Sequence, residues 1–164
     1  MSWRPMQIWD LSHTNRVADL VHEAYPESPD VQADRLALFP DGCWVAEFEG
    51  ATVGYCVAHA GLRQRPPALD TVLGALPKDP DCLYMHDVAL LPAARGSGLG
   101  RAIVPIMVEV ARRHGFPVLA LTSVNDSQEF WARSGFRQIA PDAILAAKLA
   151  TYDVDAIYME MAVF

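Results

Sequence analysis

The sequence predicts a protein of the mixed α/β or α+β class, in which strands outnumber helices. Its 164 residues, 52% of them hydrophobic and 20% charged, are enough to build one domain with a sizeable core. Apolar residues recur at strand spacing in seven segments and at helical spacing in four. Because neither a repeat nor an interdomain linker interrupts these segments, a single domain over residues 1–164 is expected.

The first part of the chain is predicted to hold three strands and two helices. Residues 5–11 are apolar enough for a strand, and residues 13–24 place apolar side chains on one helical face. After a proline-containing turn, a second helix is expected at about 30–38. Two β-branched and aromatic runs then flank a Glu-Gly turn, and they predict a hairpin over residues 43–59.

A long loop leads into the second part of the chain. Residues 61–81 contain several prolines, and a loop of this length in a compact domain is often functional. The strand expected at 82–91 runs into a glycine-containing turn and a helix at about 98–114, in which Pro105 predicts a local kink. The remaining predicted elements are strands at 117–124, 136–139 and 156–164 and a helix at 126–134.

The distribution of charge narrows the class of ligand. The net charge is −7, but residues 95–137 carry six arginines against three acidic residues. This balance disfavours general nucleic-acid binding and suits an anionic ligand at one site. On charge alone, a scattered and solvated basic surface is an equally good interpretation.

Cysteines, histidines and hydropathy give no sign of a metal site or a membrane anchor. Cys43, Cys56 and Cys82 are odd in number and match no zinc spacing, so they are expected to be reduced, packed thiols. No two histidines form an HxxxH pair, and no apolar run approaches the roughly 18 residues of a membrane span. Because no signal-peptide pattern opens the sequence either, a cytoplasmic location is expected.

The segment LYMHDVALLPAARGSGLGRAIV, residues 83–104, carries the clearest functional pattern. Three closely spaced glycines stand where a helix begins, and the unpaired N–H groups and positive dipole of a helix start attract phosphate. Two flanking arginines add positive charge. The spacing departs from the dinucleotide-binding fingerprint, and the GK[ST] of a P-loop is absent. A purely structural glycine turn remains the alternative.

Two motifs in this order resemble the GNAT N-acetyltransferase superfamily. Residues 95–100, RGSGLG, match its [RQ]xxGx[GA] signature after a V-A-L-x-P strand, and Asn125 followed by FWARSGF is similar to its N…FYxxxGF segment. The resemblance covers about residues 42–139. It implies a three-layer fold with about four helices and a mostly antiparallel sheet of about seven strands, splayed between the fourth and fifth strands.

The resemblance also implies acetyl-CoA as the cosubstrate, without a metal. In this family the glycine turn binds the pyrophosphate, and the pantetheine arm pairs with an exposed strand edge. The residues expected to bind the cosubstrate are Val88, Ala89, Leu90, Arg95, Gly96, Ser97, Gly98, Leu99, Gly100, Arg101, Asn125 and Phe130. A helix N-cap is an equally good interpretation of Asn125.

Acetyl transfer to an amine needs a base, because amines are usually protonated at neutral pH. Strand alternation is expected to place on one face Tyr84, His86, Val88 and Leu90, and on the other Met85, Asp87 and Ala89. Family members, among them the arylalkylamine acetyltransferase branch, use Glu or His at the matching position, which implies His86 as the base. A half-buried structural histidine is the alternative, and Asp87 is a weaker candidate for orienting a neighbouring group.

The departure from the family pattern is Trp131, where many members have a tyrosine that protonates the leaving thiolate. An indole N–H is only a hydrogen-bond donor, so this acid is missing. Tyr84, Ser127 and Tyr152 are candidates to replace it, of which Tyr84 lies in the same strand as His86. Packing of Trp131 in the core is an equally good interpretation.

These observations predict an N-acetyltransferase that moves acetyl from acetyl-CoA to a primary amine by direct attack in a ternary complex. The acidic remainder of the chain suits a cationic small molecule or peptide as acceptor. The alternatives are a regulatory module that binds acyl-CoA without turnover and a nucleotide-binding protein that does not use CoA. No nucleic-acid or membrane partner is expected, and a homodimer is possible.

Overall fold

One seven-stranded sheet forms the centre of the protein in a computed structural model that describes residues 1–164. The strands are β1 (Ser2–Pro5), β2 (Cys43–Phe48), β3 (Ala51–Gly61), β4 (Cys82–Leu90), β5 (Val118–Ser123), β6 (Arg137–Gln138) and β7 (Ile157–Ala162). Their order across the sheet is β1-β2-β3-β4-β5-β7-β6, and only the pair β4–β5 is parallel. The mostly antiparallel sheet of seven strands is therefore confirmed.

Helices cover both faces of this sheet. They are α1 (Leu11–Val21), α2 (Pro29–Leu38), α3 (Leu99–Arg113), α4 (Gln128–Arg133) and α5 (Ala143–Ala150). The buried stripe of α3, with Ile103 and Met107, packs against Leu83 and Leu119 on one face. Residues of α1, α2 and α5 pack on the other face. The three-layer arrangement agrees with the expected fold.

The prediction of a first strand at residues 5–11 is wrong. β1 ends at Pro5, and residues 8–10 form a short 3₁₀ turn. The chain turns because the buried carboxylate of Asp10 accepts the N–H of Gln7 at 2.7 Å and the guanidinium of Arg4 at 2.8 Å. The apolar side chains that suggested a strand, Ile8 and Trp9, are exposed to solvent.

The fifth helix, α5, was not expected, because the prediction gave about four. Its sequence AILAAKLA is apolar almost throughout and therefore shows no polar face that would mark a helix. Asp142 caps its first turn by accepting the N–H of Leu145 at 2.8 Å. Leu145 and Leu149 then pack under the sheet beside Tyr84 and Tyr158.

The sheet opens between β4 and β5. These strands pair only from Leu83 to Met85 on β4 and from Leu119 to Leu121 on β5. Beyond Met85, β4 remains paired with β3 as far as Leu90, while β5 pairs with β7 as far as Ser123. The expected splay between the fourth and fifth strands is thus present.

A β-bulge in β4 changes which side chains share a face. Val57 of β3 pairs with Asp87 and Ala58 pairs with Met85, so His86 is the extra residue on β4. The expected alternation holds up to His86 and is wrong after it. Asp87 lies with His86 on the α1 side of the sheet, where its carboxylate contacts Tyr55 and His22, whereas Val88 packs on the α3 side.

The long loop expected at residues 61–81 is present over residues 62–81, but the helical turn expected near Leu69 to Leu76 is not formed. The carboxylate of Asp34 accepts the N–H groups of Leu73 at 2.9 Å and Gly74 at 3.1 Å. The N–H of Asp70 donates to Glu27 at 2.8 Å. These contacts fix the loop beside the segment that joins α1 to α2. None of the helices is both long and apolar enough to span a membrane.

Candidate active site

A cleft of about 650 Å³ lies where β4 and β5 separate. One wall is β4 from Met85 to Leu90, and another is formed by the end of β5 and by α4. The glycine turn before α3 and the last residues of α1 complete the lining. A cleft between diverging strands leaves main-chain groups without partners, and such groups are available to a ligand.

The turn between β4 and α3 presents bare main chain to this cleft. Gly96 and Gly98 adopt left-handed φ angles of 77° and 91°, which residues with a Cβ atom rarely adopt. The N–H groups of Gly96, Ser97 and Gly98 donate to no group in the chain, and the positive end of α3 lies beside them. With Arg95 and Arg101 in the same lining, the turn fits a pyrophosphate.

The edge of β4 offers a second set of free main-chain groups. The N–H of Leu91 donates to Val53 of the β3 side at 2.8 Å, and antiparallel pairing alternates from there along the strand. The main-chain groups of Val88 and Leu90 therefore point away from β3 and into the cleft. Only the Leu90 carbonyl has a partner, the Nε of Arg95 at 3.3 Å. This edge can accept an extended arm as an added strand.

Residues at the α4 side close over the glycine turn. The ring of Phe130 lies against Gly100, where a Cβ atom would come within 3.0 Å of the ring. Asn125 is exposed at the cleft in a left-handed conformation, with φ at 55°. Because the N-cap of α4 is Ser127, the N-cap interpretation of Asn125 is wrong. The Asn125 amide is free to meet a ligand.

Trp131 belongs mainly to the core. It is buried among residues of α3 and β5, and its ring meets Phe136 edge-on with centroids 5.6 Å apart. One part of the side chain also lines the cleft. The structure supports the packing role for Trp131 and gives the cleft no phenol at this position.

His86 is held by a carboxylate from the segment between α1 and α2. Its Nε2 lies 2.9 Å and 3.2 Å from the two carboxylate oxygens of Glu27, and its Nδ1 is buried without a partner. Burial raises the pKa of Glu27, but the hydrogen bond and charge of His86, together with the Asp70 N–H and the charge of Arg35, outweigh burial, and the pKa lies below its usual value. An ionised Glu27 must accept the Nε2–H, so the free lone pair of the neutral imidazole is on Nδ1.

A second histidine–carboxylate pair lies beside the first. Nε2 of His22 is 2.7 Å from Oδ1 of Asp87, and the buried hydroxyl of Tyr55 donates to the other oxygen of Asp87. Nδ1 of His22 is also buried without a partner. The two pairs cross, because His22 and Glu27 come from the α1–α2 region while His86 and Asp87 come from the β4 bulge.

Tyr84 lies one layer behind the cleft. Its hydroxyl is 2.8 Å from that of Thr122, which does line the cleft, and the Tyr84 ring packs 5.5 Å from that of His59. Burial raises the pKa of Tyr84 well above its usual value. Tyr152 donates its hydroxyl to the Pro67 carbonyl. Neither phenol faces the cleft directly.

The structure brings most of the predicted site residues to one cleft. Those that line it are His86, Val88, Ala89, Leu90, Arg95, Gly96, Gly98, Gly100, Arg101, Asn125 and Phe130. Three do not line it: Tyr84, Ser97, whose hydroxyl accepts the Leu99 N–H at 3.3 Å, and Leu99, whose side chain is buried. Sequence analysis placed Glu27 among the acidic residues that would attract a cation, but it identified neither His22 nor the pairing of Glu27 with His86, since only the fold brings the α1–α2 region against β4.

One known protein is similar to part of this sequence. A curated L-2,4-diaminobutyric acid acetyltransferase from Nocardia farcinica (strain IFM 10152) is 29% identical over 89 residues, which are 54% of this chain and 38% of that protein. The chain thus spans well under half the length of this relative.

Solved structures share the fold at low sequence identity. GphF, a GNAT-like decarboxylase in complex with isobutyryl-CoA, has a TM-score of 0.80 at 18% identity, with all of both chains covered. The N-acetylglutamate synthase of Neisseria gonorrhoeae, solved with coenzyme A and N-acetyl-glutamate, has a TM-score of 0.75 at 16% identity over 99% of this chain and 35% of its own.

The family itself follows from a match of the sequence to a family profile. Residues 6–136, from the end of β1 to the residue before β6, match the profile described as the acetyltransferase (GNAT) family. The matched range contains the glycine turn, the open edge of β4 and both histidine–carboxylate pairs. The chain therefore belongs to the acetyltransferase (GNAT) family.

Proposed function

We propose that the protein is an N-acetyltransferase that moves the acetyl group of acetyl-CoA to a primary amine, with His86 as the general base. The observation that carries this proposal is the cleft, which joins the bare glycine turn, the free edge of β4 and the His86–Glu27 pair. An anion-binding turn and a base at opposite parts of one cleft suit a substrate with a phosphorylated handle and a distant reacting group.

The chain holds acetyl-CoA mainly through its main chain in this proposal. The N–H groups of Gly96 and Gly98, which line the cleft, donate to the pyrophosphate, and Arg95 and Arg101 supply opposite charge. The main-chain groups of Val88 and Leu90 pair with the amides of the pantetheine arm. This arrangement delivers the thioester to the inner end of the splay, next to the bulge.

His86 supplies the proton acceptor. Glu27 fixes its Nε2–H, which leaves the Nδ1 lone pair to take a proton from the amine, directly or through one water. As the amine nitrogen forms its bond to the acetyl carbon, the carbon–sulfur bond breaks and its electron pair passes to sulfur. Glu27 stabilises the imidazolium that results, because its carboxylate remains ionised beside the ring.

The acceptor is a small cationic amine. Beside the cleft, a cavity of about 270 Å³ is lined by four carboxylates, those of Asp19, Glu23, Glu27 and Asp87. His22 and Asp87 line both the cavity and the cleft, so the carboxylates attract an amine to a position next to the cleft. The relative from Nocardia farcinica, a diaminobutyric acid acetyltransferase by name, supports a diamino compound as acceptor.

A module that binds acyl-CoA without turnover is the second candidate, and one observation favours it. Trp131 occupies the position of the expected acid and packs in the core, so the cleft has no phenol beside the leaving group. Such a module would bind acetyl-CoA in the same cleft and would release no thiol when amines are added.

Two measurements test the proposed function and separate it from this alternative. Isothermal titration with acetyl-CoA is expected to show one site per chain. Thiol release from acetyl-CoA is then followed with L-2,4-diaminobutyrate, putrescine, tyramine and a lysine-containing peptide, and at least one is expected to be acetylated. Binding without thiol release would support the inactive module, and absence of acetyl-CoA binding would contradict both.

Gly98→Glu is expected to weaken acetyl-CoA binding at least tenfold, about 1.4 kcal/mol. The substitution places a negative charge at the pyrophosphate turn and puts a Cβ atom at a residue with φ of 91°. Isothermal titration measures the effect after circular dichroism has shown that the variant folds. The matched control is Gly50→Glu, because Gly50 has φ of 79° and open space around it but lies in the β2–β3 turn. Equal affinity of the two variants for acetyl-CoA would show that the glycine turn does not bind the pyrophosphate.

A further inference from the structure

Three cavities meet at one histidine that the proposed function leaves without a role. His22 and Asp87 line the cleft of about 650 Å³, the acidic cavity of about 270 Å³ and a small chamber of about 40 Å³ that also contacts His86. His22 closes α1, where its N–H donates to the Ala18 carbonyl at 2.8 Å. Its ring therefore stands at the junction between the acceptor side and the cosubstrate side.

The side chain of His22 is fixed by contacts that favour its charged form. Asp87 accepts the Nε2–H at 2.7 Å and receives the Tyr55 hydroxyl on its other oxygen. The negative charge of a carboxylate favours an imidazolium beside it. The opposite ring nitrogen, Nδ1, is buried and has no partner in the chain. When the ring is charged, Nδ1–H is an unused donor.

The surroundings of His22 shift its pKa in opposite directions. Burial lowers its pKa and so does Arg95, but the hydrogen bond and charge of Asp87, with the charge of Glu27, outweigh them. The pKa of His22 is therefore raised above its usual value, and more of the ring is charged near neutral pH than in an isolated histidine.

Acetyl transfer in the proposed function creates a thiolate that needs a proton, and the other candidates cannot supply one. The indole of Trp131 is not an acid in the required range. The hydroxyl of Tyr84 is buried against Thr122. Ser127 donates its hydroxyl to the Val124 carbonyl at 2.7 Å, and Tyr152 donates to Pro67. The ring of His22, in its charged form, is the remaining acid in the lining of the cleft.

We propose that His22, held by Asp87, is the general acid that protonates the departing thiolate of coenzyme A. This inference rests on the proposed function. His22 gives its Nδ1 proton to sulfur while the carbon–sulfur bond breaks and its electron pair passes to sulfur. His86 takes the proton of the amine in the same turnover. His22 ends neutral, His86 ends charged, and exchange of one proton with solvent restores both.

The thiol of bound coenzyme A reports on this contact without any acceptor amine. A nearby imidazolium stabilises the thiolate, so the pKa of the bound thiol is expected to lie about one unit below its value in His22→Gln. The titration is followed by NMR of coenzyme A labelled with ¹³C at the carbon next to sulfur, in saturated complexes. Asp87→Asn keeps the His22 ring but removes the carboxylate that favours its charged form. The imidazolium is then less populated, so the pKa of the bound thiol is expected to rise in this variant also.

The matched control is His114→Gln, because His114 makes a histidine–carboxylate pair with Asp41 at 2.8 Å outside the cleft. The bound thiol is expected to titrate in this variant as in the unchanged protein. If His22→Gln does not fold, Asp87→Asn carries the test. An unchanged thiol pKa in the folded cleft variants would overturn the proposal, as would a larger rise in His86→Gln. Failure of the unchanged protein to bind coenzyme A would instead overturn the proposed function together with it.

Discussion

His86→Gln is expected to lower kcat/KM for acetyl transfer about a hundredfold at neutral pH, because general-base catalysis contributes about 10² to 10⁴. The amide of glutamine can still donate to Glu27, which holds Nε2 of His86 at 2.9 Å, but it cannot accept the proton of the amine. Binding of acetyl-CoA is expected to remain near normal, since the glycine turn and the β4 edge are untouched. Activity should partly recover at high pH, where more of the amine is already neutral.

The pH profile separates a base from a structural histidine. In the unchanged protein, kcat/KM is expected to fall on the acidic side as the base takes up a proton, and this limb should disappear in His86→Gln. Rates are measured with the best acceptor of the amine panel. His114→Gln serves as the control, because it also loses an ion pair with a carboxylate but lies outside the cleft. Full activity with a persisting acidic limb in His86→Gln would assign His86 a structural role.

Acidification from pH 7 to pH 4 is expected to cost the protein roughly 3 kcal/mol of unfolding free energy through His59 alone. The His59 side chain is buried, and burial lowers its pKa to about 4 against 6.5 for an exposed histidine. Its Nδ1–H donates to the Ala60 carbonyl at 2.9 Å, whereas Nε2 has no partner. Between these two pKa values the unfolded chain binds the extra proton, so stability falls as the pH falls through this window.

Urea denaturation at several pH values measures this contribution. His59→Asn keeps a donor near the Ala60 carbonyl but cannot titrate, so its stability should depend less on pH between about 6.5 and 4. The carboxylates that lose their partners in acid remain in both proteins and cancel in the difference. His13→Asn, at an exposed position on α1, should keep the slope of the unchanged protein. Equal slopes in His59→Asn and the unchanged protein would contradict the prediction.

Periodicity and turn residues in the sequence predicted most of the fold. The hairpin, the helix after the glycine turn and the splayed pair β4–β5 lie where they were expected. The first strand was placed too late, because Ile8 and Trp9 are apolar yet exposed, and periodicity cannot distinguish an exposed apolar residue from a buried one. The helix α5 was missed because an Ala-rich and Leu-rich helix buried under a sheet shows no polar stripe.

The candidate site was likewise predicted only in part from the sequence. The glycine turn is a local motif, so the sequence alone placed Gly96 and Gly98 in one turn. The bulge at His86 depends on how β4 pairs with β3, and no local pattern marked the extra residue. The partners of both cleft histidines come from elements far apart in the sequence: Glu27 is 59 residues from His86, and His22 is 65 residues from Asp87. Pairings of this kind follow from the sheet order and not from spacing.

The free edge of β4 has a consequence for the behaviour of the ligand-free protein in solution. Unpaired strand edges recruit strands from other chains, and folded proteins usually cover, shorten or charge them to avoid aggregation. Here the edge beyond Met85 carries the apolar residues Val88 and Leu90 and lies within the cleft, next to the bulge at His86. A ligand arm that pairs with this edge also covers it. Ligand binding is therefore expected to lower the tendency of the protein to self-associate.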